Sequence, residues 1–281
     1  MTAAILRIWA IALNTFREAA RKKILWMALA AGLAFLALFG TGLHYQMKDL
    51  AAGRVRPILL KQIPGAMLMV GLYAIDLLTV VMTVLVSVDT LSGEIASGTI
   101  QAVATKPVPR WQIVLGKWLG FAAMMSAYLA LLVGGINAIT YTMAHVTARQ
   151  VPQGFALMWL ESALLLSITF FFGTHYSTLT NGVLALGLVG LAFLGGWIEQ
   201  IGAATNTTSA VNVGIVASII MPSEALWRRA ANDMQSPLAN ALNFSPFSSA
   251  SLPSSTMIVY AGVYTALALL FAIRRFRRRD L

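Results

Sequence analysis

Ionisable side chains are scarce in this chain, and one of them, Asp76, falls inside a long apolar stretch. Charged residues make up 11% of the 281 residues, whereas a soluble domain carries about 25%. A carboxylate at bilayer depth costs at least ~2.5–3.5 kcal/mol, so we expect Asp76 to face a cavity or a partner. It could contact a polar substrate, carry a proton, or form a structural contact with Thr79, Thr83 or a second subunit.

The residue sets that enzymes and metal sites need are missing from the sequence. There is no cysteine, which excludes disulfides, thiolate metal sites and cysteine nucleophiles. His44, His145 and His175 are too scattered to supply the three or four converging ligands of a metal site. No G-x-S-x-G elbow occurs, and Lys117 is followed by Trp118, so no G-x-x-x-x-G-K-[ST] nucleotide loop exists. We therefore expect no catalytic residue, metal or cofactor on this chain.

A polar, turn-rich stretch from Glu94 to Arg110 separates two long apolar runs. Glu94 is favoured near a helix N-terminus by about 0.3–1 kcal/mol, and either Ser92 or Ser97 can cap such a helix. Gly98 offers the positive φ of a sharp turn. The following Lys-Pro-Val-Pro-Arg cannot continue a helix. The pattern predicts a short helix and then a rigid extended segment, although an ordinary hairpin loop stays open as the alternative.

Six apolar segments are long enough to cross a membrane. About 30 Å of hydrocarbon takes ~20 apolar residues as a helix, and only helices satisfy the backbone at these lengths. The sequence therefore predicts an all-α polytopic membrane protein with six transmembrane helices. The segments are Ile24–Leu43, Gly65–Val88, Trp111–Tyr141, Ala156–Tyr176, Leu179–Ile201 and Thr256–Ile273.

The distribution of Lys and Arg predicts that both termini are cytoplasmic. If the N-terminus is inside, 13 of the 20 basic residues lie on the inner side, as the positive-inside rule requires. The 44–64 loop opposes this assignment, because it carries four basic residues and must lie outside. The charge blocks at the two termini outweigh it, so we predict a multi-pass protein of the cell (inner) membrane.

Both ends of the chain carry features that anchor a protein to lipid. Within residues 1–23, apolar residues recur on one helical face, as in a helix lying in the membrane interface; the alternative is a basic flank that only fixes orientation. The C-terminal basic cluster suits the anionic inner leaflet, which favours lipid over nucleic acid as its partner. The predicted anchoring residues are Trp9, Arg21, Lys22, Lys23, Arg274 and Arg275.

The region between the fifth and sixth spans is the only long segment that does not span. Val211–Met221 is apolar but too short to cross, so we expect it to be re-entrant or to pack on the outer surface of the bundle. Pro222-Ser223-Glu224 predicts a helix start with Ser223 as the cap, and 243–255 is predicted to be a linker.

Four further residues carry expectations. Glu161 and Glu199 lie towards the outer ends of their spans, which predicts an interfacial location; the alternative is that they line an outer gate. The G-x-x-x-G at Gly116 and Gly120 would allow another helix to approach closely.

The motif residues resemble those of the permease subunits of type-2 ABC exporters. The resemblance rests on Glu94-x-x-x-Gly98-Thr99-Ile, on Lys106-Pro-x-x-Arg110, and on Ile113-Val-Leu-Gly-Lys117. Within that family, the branch around multicopper-enzyme maturation and related efflux systems is the most similar. The resemblance covers about 25 motif positions, and the six-span plan fits it over the whole length.

This resemblance implies a single permease domain with a coupling helix that docks on a separate cytoplasmic ATPase. The ATPase would bind ATP and Mg²⁺, and a second permease copy, identical or different, would complete a dimeric pore. The implied segments are the interfacial helix 1–23, spans one and two in 24–88, the coupling element 89–110, spans three to five in 111–201, an external loop 202–255 with short helices, and span six with the basic tail in 256–281. The implied coupling residues are Glu94, Ser97, Gly98, Thr99, Lys106, Pro107 and Arg110.

Three classes of function remain to be compared. The first is an ATP-driven exporter permease, with Asp76 as a possible residue of the translocation path. The second is an ATPase-independent secondary transporter or channel that uses Asp76 as an ion or proton site, although the inverted repeats and broken helices of such folds are not evident. A membrane-embedded enzyme is the least favoured. The largely aliphatic and aromatic spans do not indicate the substrate.

Overall fold

Helices make up almost all of the chain that the structure describes. The structure is a computed structural model that describes residues 2–52, 62–96, 109–235 and 251–278. Nine helices occur in those ranges: α1 (Thr2–Arg21), α2 (Lys23–Ala51), α3 (Gln62–Ala96), α4 (Arg110–Ala144), α5 (Val151–Gly173), α6 (Thr178–Ala204), α7 (Thr208–Ile220), α8 (Ser223–Met234) and α9 (Ser255–Arg278).

Six of these helices, α2 to α6 and α9, are long and apolar enough to cross a membrane. They coincide with the six predicted segments, so the predicted fold class is confirmed. The most apolar windows of α3, α4 and α5 are 61%, 56% and 67% buried, whereas those of α2, α6 and α9 are 22%, 28% and 22% buried. Thus α3, α4 and α5 form the centre of the bundle, and the other three keep broad apolar faces outward.

Several predicted boundaries differ from the helix ends; α2, for example, continues to Ala51 instead of ending at Leu43. The fourth span ends at Gly173 instead of Tyr176, because the chain turns there and the Thr174 hydroxyl donates to a carbonyl of the last helical turn. The second span does not stop near residue 88, since α3 continues to Ala96. Ser92 is therefore not a helix cap; its hydroxyl donates to Val88 O at 2.7 Å from within the helix.

The two ends of the bundle are named here by the sequence-predicted orientation. The inner end is the one where α3 ends, α4 begins, α5 turns into α6 and α9 ends. Contacts bring these points together: Arg110 Nη1 donates to Arg277 O at 3.4 Å, and Ser92 bonds Thr178 at 2.9 Å. The outer end is opposite, where the Arg149 N–H donates to Met234 O at 2.9 Å.

The helix α1 packs against the inner part of α4 at two glycines. A Cβ added at Gly116 would lie 2.7 Å from Ile11 Cγ2, and one added at Gly120 would lie 2.6 Å from Ala12 O. Only glycine fits at such distances, which confirms the predicted close approach and identifies α1 as the helix that makes it.

The predicted apolar stripe of α1 is divided between two environments. Ala12 is buried near Gly120 of α4, together with Thr15, whereas Ile5 and Trp9 are 59% and 69% exposed. Placement of this helix in the membrane interface stays a prediction.

The helices α7 and α8 form a hairpin that enters the bundle from the outer end and returns. They are bent by 104° at a short break. α7 runs antiparallel to α6: Gly202 lies against Ala210, and Gly195 lies against Ala217. The α8 helix then runs back towards the outer end and is largely buried, so the hairpin returns to the end of the bundle from which it enters. Its position relative to a membrane stays a prediction.

The start of α8 lies deep in the bundle, while its end lies at the outer surface. A Cβ at Gly196 would collide with the Glu224 side chain, and one at Gly154 would collide with Met234. The predicted cap is wrong: Pro222 occupies the N-cap position and no side-chain cap bond forms. Ser223 is instead the first helical residue and is 1% exposed, because the turn is packed inside protein.

We predict that Gly120→Ala destabilises the protein by about 1–3 kcal/mol, the usual cost of overpacking. The new methyl group would meet Ala12 O, a backbone atom that cannot turn away. Thermal unfolding of the purified protein in detergent measures the loss. Gly134→Ala in the same helix is the matched control, since nothing lies within 4 Å of its added Cβ. Equal stability of the two variants would contradict the tight α1–α4 contact.

Candidate functional site

An ion pair joins the two helices that flank residues 97–108. Lys117 Nζ on α4 donates to Glu94 Oε1 near the end of α3. Their side chains are only 11% and 19% exposed, so the two charges are mostly shielded from solvent. A shielded pair resists separation, because removal of either partner would strand a charge in a poor solvent. The inner ends of α3 and α4 are therefore held together.

A second set of contacts joins the inner end of α3 to the turn between α5 and α6. Ser87 and Thr169 share a hydrogen bond of 2.8 Å. Asn181 Nδ2 donates both to Val88 O at 3.1 Å and to Thr169 O at 2.9 Å. Asn181 and Thr169 are almost fully buried, so this amide bridges three helices where water is excluded.

The first residue of α6 completes this contact region. Thr178 Oγ1 donates to Asp89 Oδ1 at 3.1 Å and lies 2.9 Å from the Ser92 hydroxyl. With the ion pair of Glu94 and Lys117, these bonds connect α3 to α4, α5 and α6. We call the set the inner junction; its residues are Ser87, Asp89, Ser92, Glu94, Lys117, Thr169, Thr178 and Asn181.

The structure places only part of the predicted coupling set. Glu94 and Arg110 are described, and both form contacts between helices at the inner end. The remaining predicted coupling residues, Ser97, Gly98, Thr99, Lys106 and Pro107, lie outside the described residues, so their roles stay predictions.

Sequence reasoning missed Ser87, Thr169, Thr178 and Asn181 as members of this site. Polar residues of these types are common in membrane helices, where they bond a carbonyl one turn back. The one usable signal was Asn181, since a primary amide near the end of a long apolar run needs partners.

A second polar cluster lies towards the outer end, around Asp76. Asp76 on α3 and Glu161 on α5 are 8% and 3% exposed, and their side chains lie close enough to interact with each other. Glu224, in the first turn of α8, is close enough to interact electrostatically with both. We call Asp76, Glu161 and Glu224 the acidic cluster.

A buried ion pair adjoins the acidic cluster. Arg228 Nη2 on α8 donates to Glu199 Oε2 on α6 at 2.8 Å, and Ser251 Oγ donates to Glu199 Oε1 at 2.6 Å. The prediction that Glu161 and Glu199 lie at the membrane interface is wrong, because 3% and 5% exposure places both inside the protein. The re-entrant α8, which the hydropathy pattern did not reveal, covers them.

A small cavity of about 40 Å³ lies beside these charges. Its lining includes Tyr73 and Trp227, whose rings are 5.4 Å apart between centroids, and also Gln200, Glu224 and Arg228. The cavity therefore brings an acidic and a basic side chain of α8 to one polar space. Within the described ranges, no group of three or more His, Asp or Glu residues is arranged to hold a metal ion.

The predicted anchoring residues lie at the surface of the inner end. Trp9 is 69% exposed, and Arg274 and Arg275 are exposed at the end of α9. Arg21 and Lys23 are exposed and Lys22 is half-buried at the α1–α2 corner. That corner is fixed by Trp26, which donates to Ala20 O at 3.1 Å. Contact of these residues with lipid stays a prediction.

The six long apolar helices define a multi-pass membrane protein. The chain belongs to the ABC-2 family of transporter proteins, whose family model matches residues 9–281. It is accordingly a membrane permease component of an ABC transporter. A comparison with curated proteins finds none that matches this chain.

We predict that Arg228→Met lowers the free energy of unfolding by about 3–5 kcal/mol, because Glu199 would be left buried without its cation. Arg229→Met on the next residue is the matched control. Its pair with Asp233 spans 3.5 Å and is more exposed, at 26% and 18%, so the loss should be about 0–1 kcal/mol. Chemical unfolding in detergent measures both; equal losses would contradict the assigned importance of the buried pair.

Proposed function

We propose that this chain is the permease of an ATP-driven exporter and receives conformational changes from a separate cytoplasmic ATPase through residues 89–110. The observation that carries the proposal is the inner junction. Through Glu94 and Lys117 it joins the helix that ends just before residues 97–108 to the helix that begins just after them. A separate contact, from Arg110 to the last turn of α9, holds the start of α4.

The inner junction supports a mechanical role because its contacts leave little freedom to the two helix ends. A displacement of residues 97–108 by an ATPase would act on α3 and α4 together, since the buried ion pair resists separation. The hydroxyl and amide bonds of Ser87, Ser92 and Asn181 would pass the displacement to the α5–α6 turn. Rigid-body switching of packed helices is a common result of such coupling.

The remaining parts of the proposal follow from family membership and from the earlier resemblance. ATP and Mg²⁺ would bind the ATPase, and two permease copies would form the pore in the inner membrane, with lipid around α1 and the basic C-terminus. Residues 202–255 would form an external element, of which α7 and α8 are part. We also propose that, within the family, the chain belongs to the branch of multicopper-enzyme maturation and related efflux systems.

A second candidate function is an ATPase-independent transporter that uses Asp76 as an ion or proton site. The observation in its favour is that Asp76 is buried with two further carboxyls. Ion-gradient-driven flux in proteoliposomes that contain this chain alone would favour it over the ATP-driven exporter.

We predict that Glu94→Lys and Lys117→Glu each lower permease-dependent ATP hydrolysis by at least about tenfold, and that the double exchange restores it. Each single variant places two like charges together, and loss of a shielded pair costs about 3–5 kcal/mol. The assay uses the complex that co-purifies with the tagged permease, reconstituted in nanodiscs. Co-purification yield shows whether binding or coupling is affected.

The matched control is Asp49→Lys, which makes the same change of charge at an exposed position of α2. It should leave hydrolysis and co-purification unchanged. Wild-type co-purification and hydrolysis in both single variants would contradict a coupling role for the inner junction.

We predict that a cysteine at position 101 reacts with a membrane-impermeant maleimide only from the cytoplasmic side. The chain has no native cysteine, so a single substitution gives an unambiguous label. Inside-out and right-side-out vesicles distinguish the two sides, and a cysteine at position 49 should show the opposite preference. Labelling of position 101 from outside would exclude docking of an ATPase on residues 89–110.

A further inference from the structure

We propose that the acidic cluster of Asp76, Glu161 and Glu224 is a proton-binding site that controls whether the re-entrant helix α8 stays in the bundle. In the protonated state the cluster holds α8 against α3 and α5. In the deprotonated state it repels α8 and opens the outer end. The proposal does not depend on coupling to an ATPase, because each of its residues belongs to this chain.

The first argument is the closeness of two buried carboxyls, Asp76 and Glu161. Ionised carboxylates have only acceptor atoms, so two of them side by side repel each other and form a hydrogen bond only when one carries a proton. Glu161 is 3% exposed, and its Oε2 has no hydrogen-bond partner among the described residues. Burial of a carboxylate oxygen in that position carries a desolvation cost unless the oxygen is protonated or accepts a hydrogen bond.

The second argument is the balance of charge around the cluster. Among the residues that the structure describes, four carboxyls face one guanidinium, and Arg228 Nη2 is already bound by Glu199. Full ionisation would therefore leave an excess of negative charge in a space with little water, where like charges repel strongly. The groups that face one another are Tyr73 and Asp76 on α3, Glu161 on α5, Glu199 on α6, and Glu224 and Arg228 on α8.

The third argument is the size of the space beside the cluster. The cavity lined by Tyr73, Glu224 and Arg228 has a volume of about 40 Å³. Such a volume holds on the order of one to three water molecules, which is too little for an organic cation. Arg228 Nε is buried there without a protein partner in the described ranges, so water suits the cavity. Water can carry a proton to Glu224, which is only half-buried.

The position of α8 makes it the element that would move. It joins α7 through a 104° bend beside Pro222, and Glu224 is in its first turn, at the deep end. Repulsion between Glu224 and the carboxyls of α3 and α5 acts directly on that end. The Arg149–Met234 backbone bond holds the other end at the outer surface. Deprotonation would thus swing the deep end of α8 outward.

The first test measures the proton directly. Infrared difference spectra of the purified permease between acidic and alkaline buffer should show loss of a protonated carboxyl band. The band should be absent in the double variant Asp76→Asn with Glu161→Gln and retained in Asp49→Asn, which alters an exposed carboxyl of α2. A band that survives in the double variant would overturn the assignment.

The second test measures the movement of α8. Ala231→Cys places a thiol in the cavity lining, at a residue that is 1% exposed. The rate at which this thiol reacts with a maleimide added outside right-side-out vesicles is divided by the rate for Ala204→Cys, an exposed position at the end of α6. The division corrects for the pH dependence of thiolate formation itself.

The ratio of the two labelling rates should rise at least about tenfold from acidic to alkaline buffer. Each pH unit above the titration midpoint of the acidic cluster lowers its protonated population about tenfold. With Asp76→Asn and Glu161→Gln, the amides can hydrogen-bond each other without charge, so the ratio should stay low and constant. A constant wild-type ratio, or a double variant that keeps the pH dependence, would overturn the proposal. Either result leaves the ATPase-coupling proposal unaffected, since that rests on the inner junction.

Discussion

Polar groups inside an apolar helical bundle must find their partners on other helices, because the bilayer offers no water to bond them. This constraint decides how the described helices are tied together. At the inner end, Asn181 bridges α3 and α5 from α6. Towards the outer end, Arg228 and Glu199 join α8 to α6. In both places the burial of a polar group without a partner would be unfavourable, and the bonds that satisfy the group join two or more helices.

The helix α3 carries residues of both polar regions and so connects them. Asp76 belongs to the acidic cluster and Glu94 to the inner junction, and they lie 18 residues apart on one continuous helix, or about 27 Å along its axis. An unbroken helix is stiff over that distance. A displacement at one end is therefore transmitted to the other, which gives a physical route between the inner junction and the outer hairpin.

The sequence predicted the number and type of the spanning helices well, because long apolar runs leave a bilayer-spanning chain no other regular structure. It predicted the close approach at Gly116 and Gly120 for a similar reason, since glycine alone permits such contact. It failed for Glu161 and Glu199, whose burial depends on α8. That helix is short and polar in average composition, so no hydropathy pattern reveals that it returns into the bundle.

The close contact of α1 with α4 would limit the speed at which α4 can rotate. Gly116 and Gly120 hold α1 on the stretch of α4 that also carries Lys117, so a rotation of α4 must carry α1 with it. Leu6 and Trp9 project from α1 at 68% and 69% exposure; with α1 in the predicted membrane interface, they would move through lipid. The viscosity of the membrane would then slow the rotation of α1 and α4, and a more fluid bilayer would allow each transport cycle to run faster.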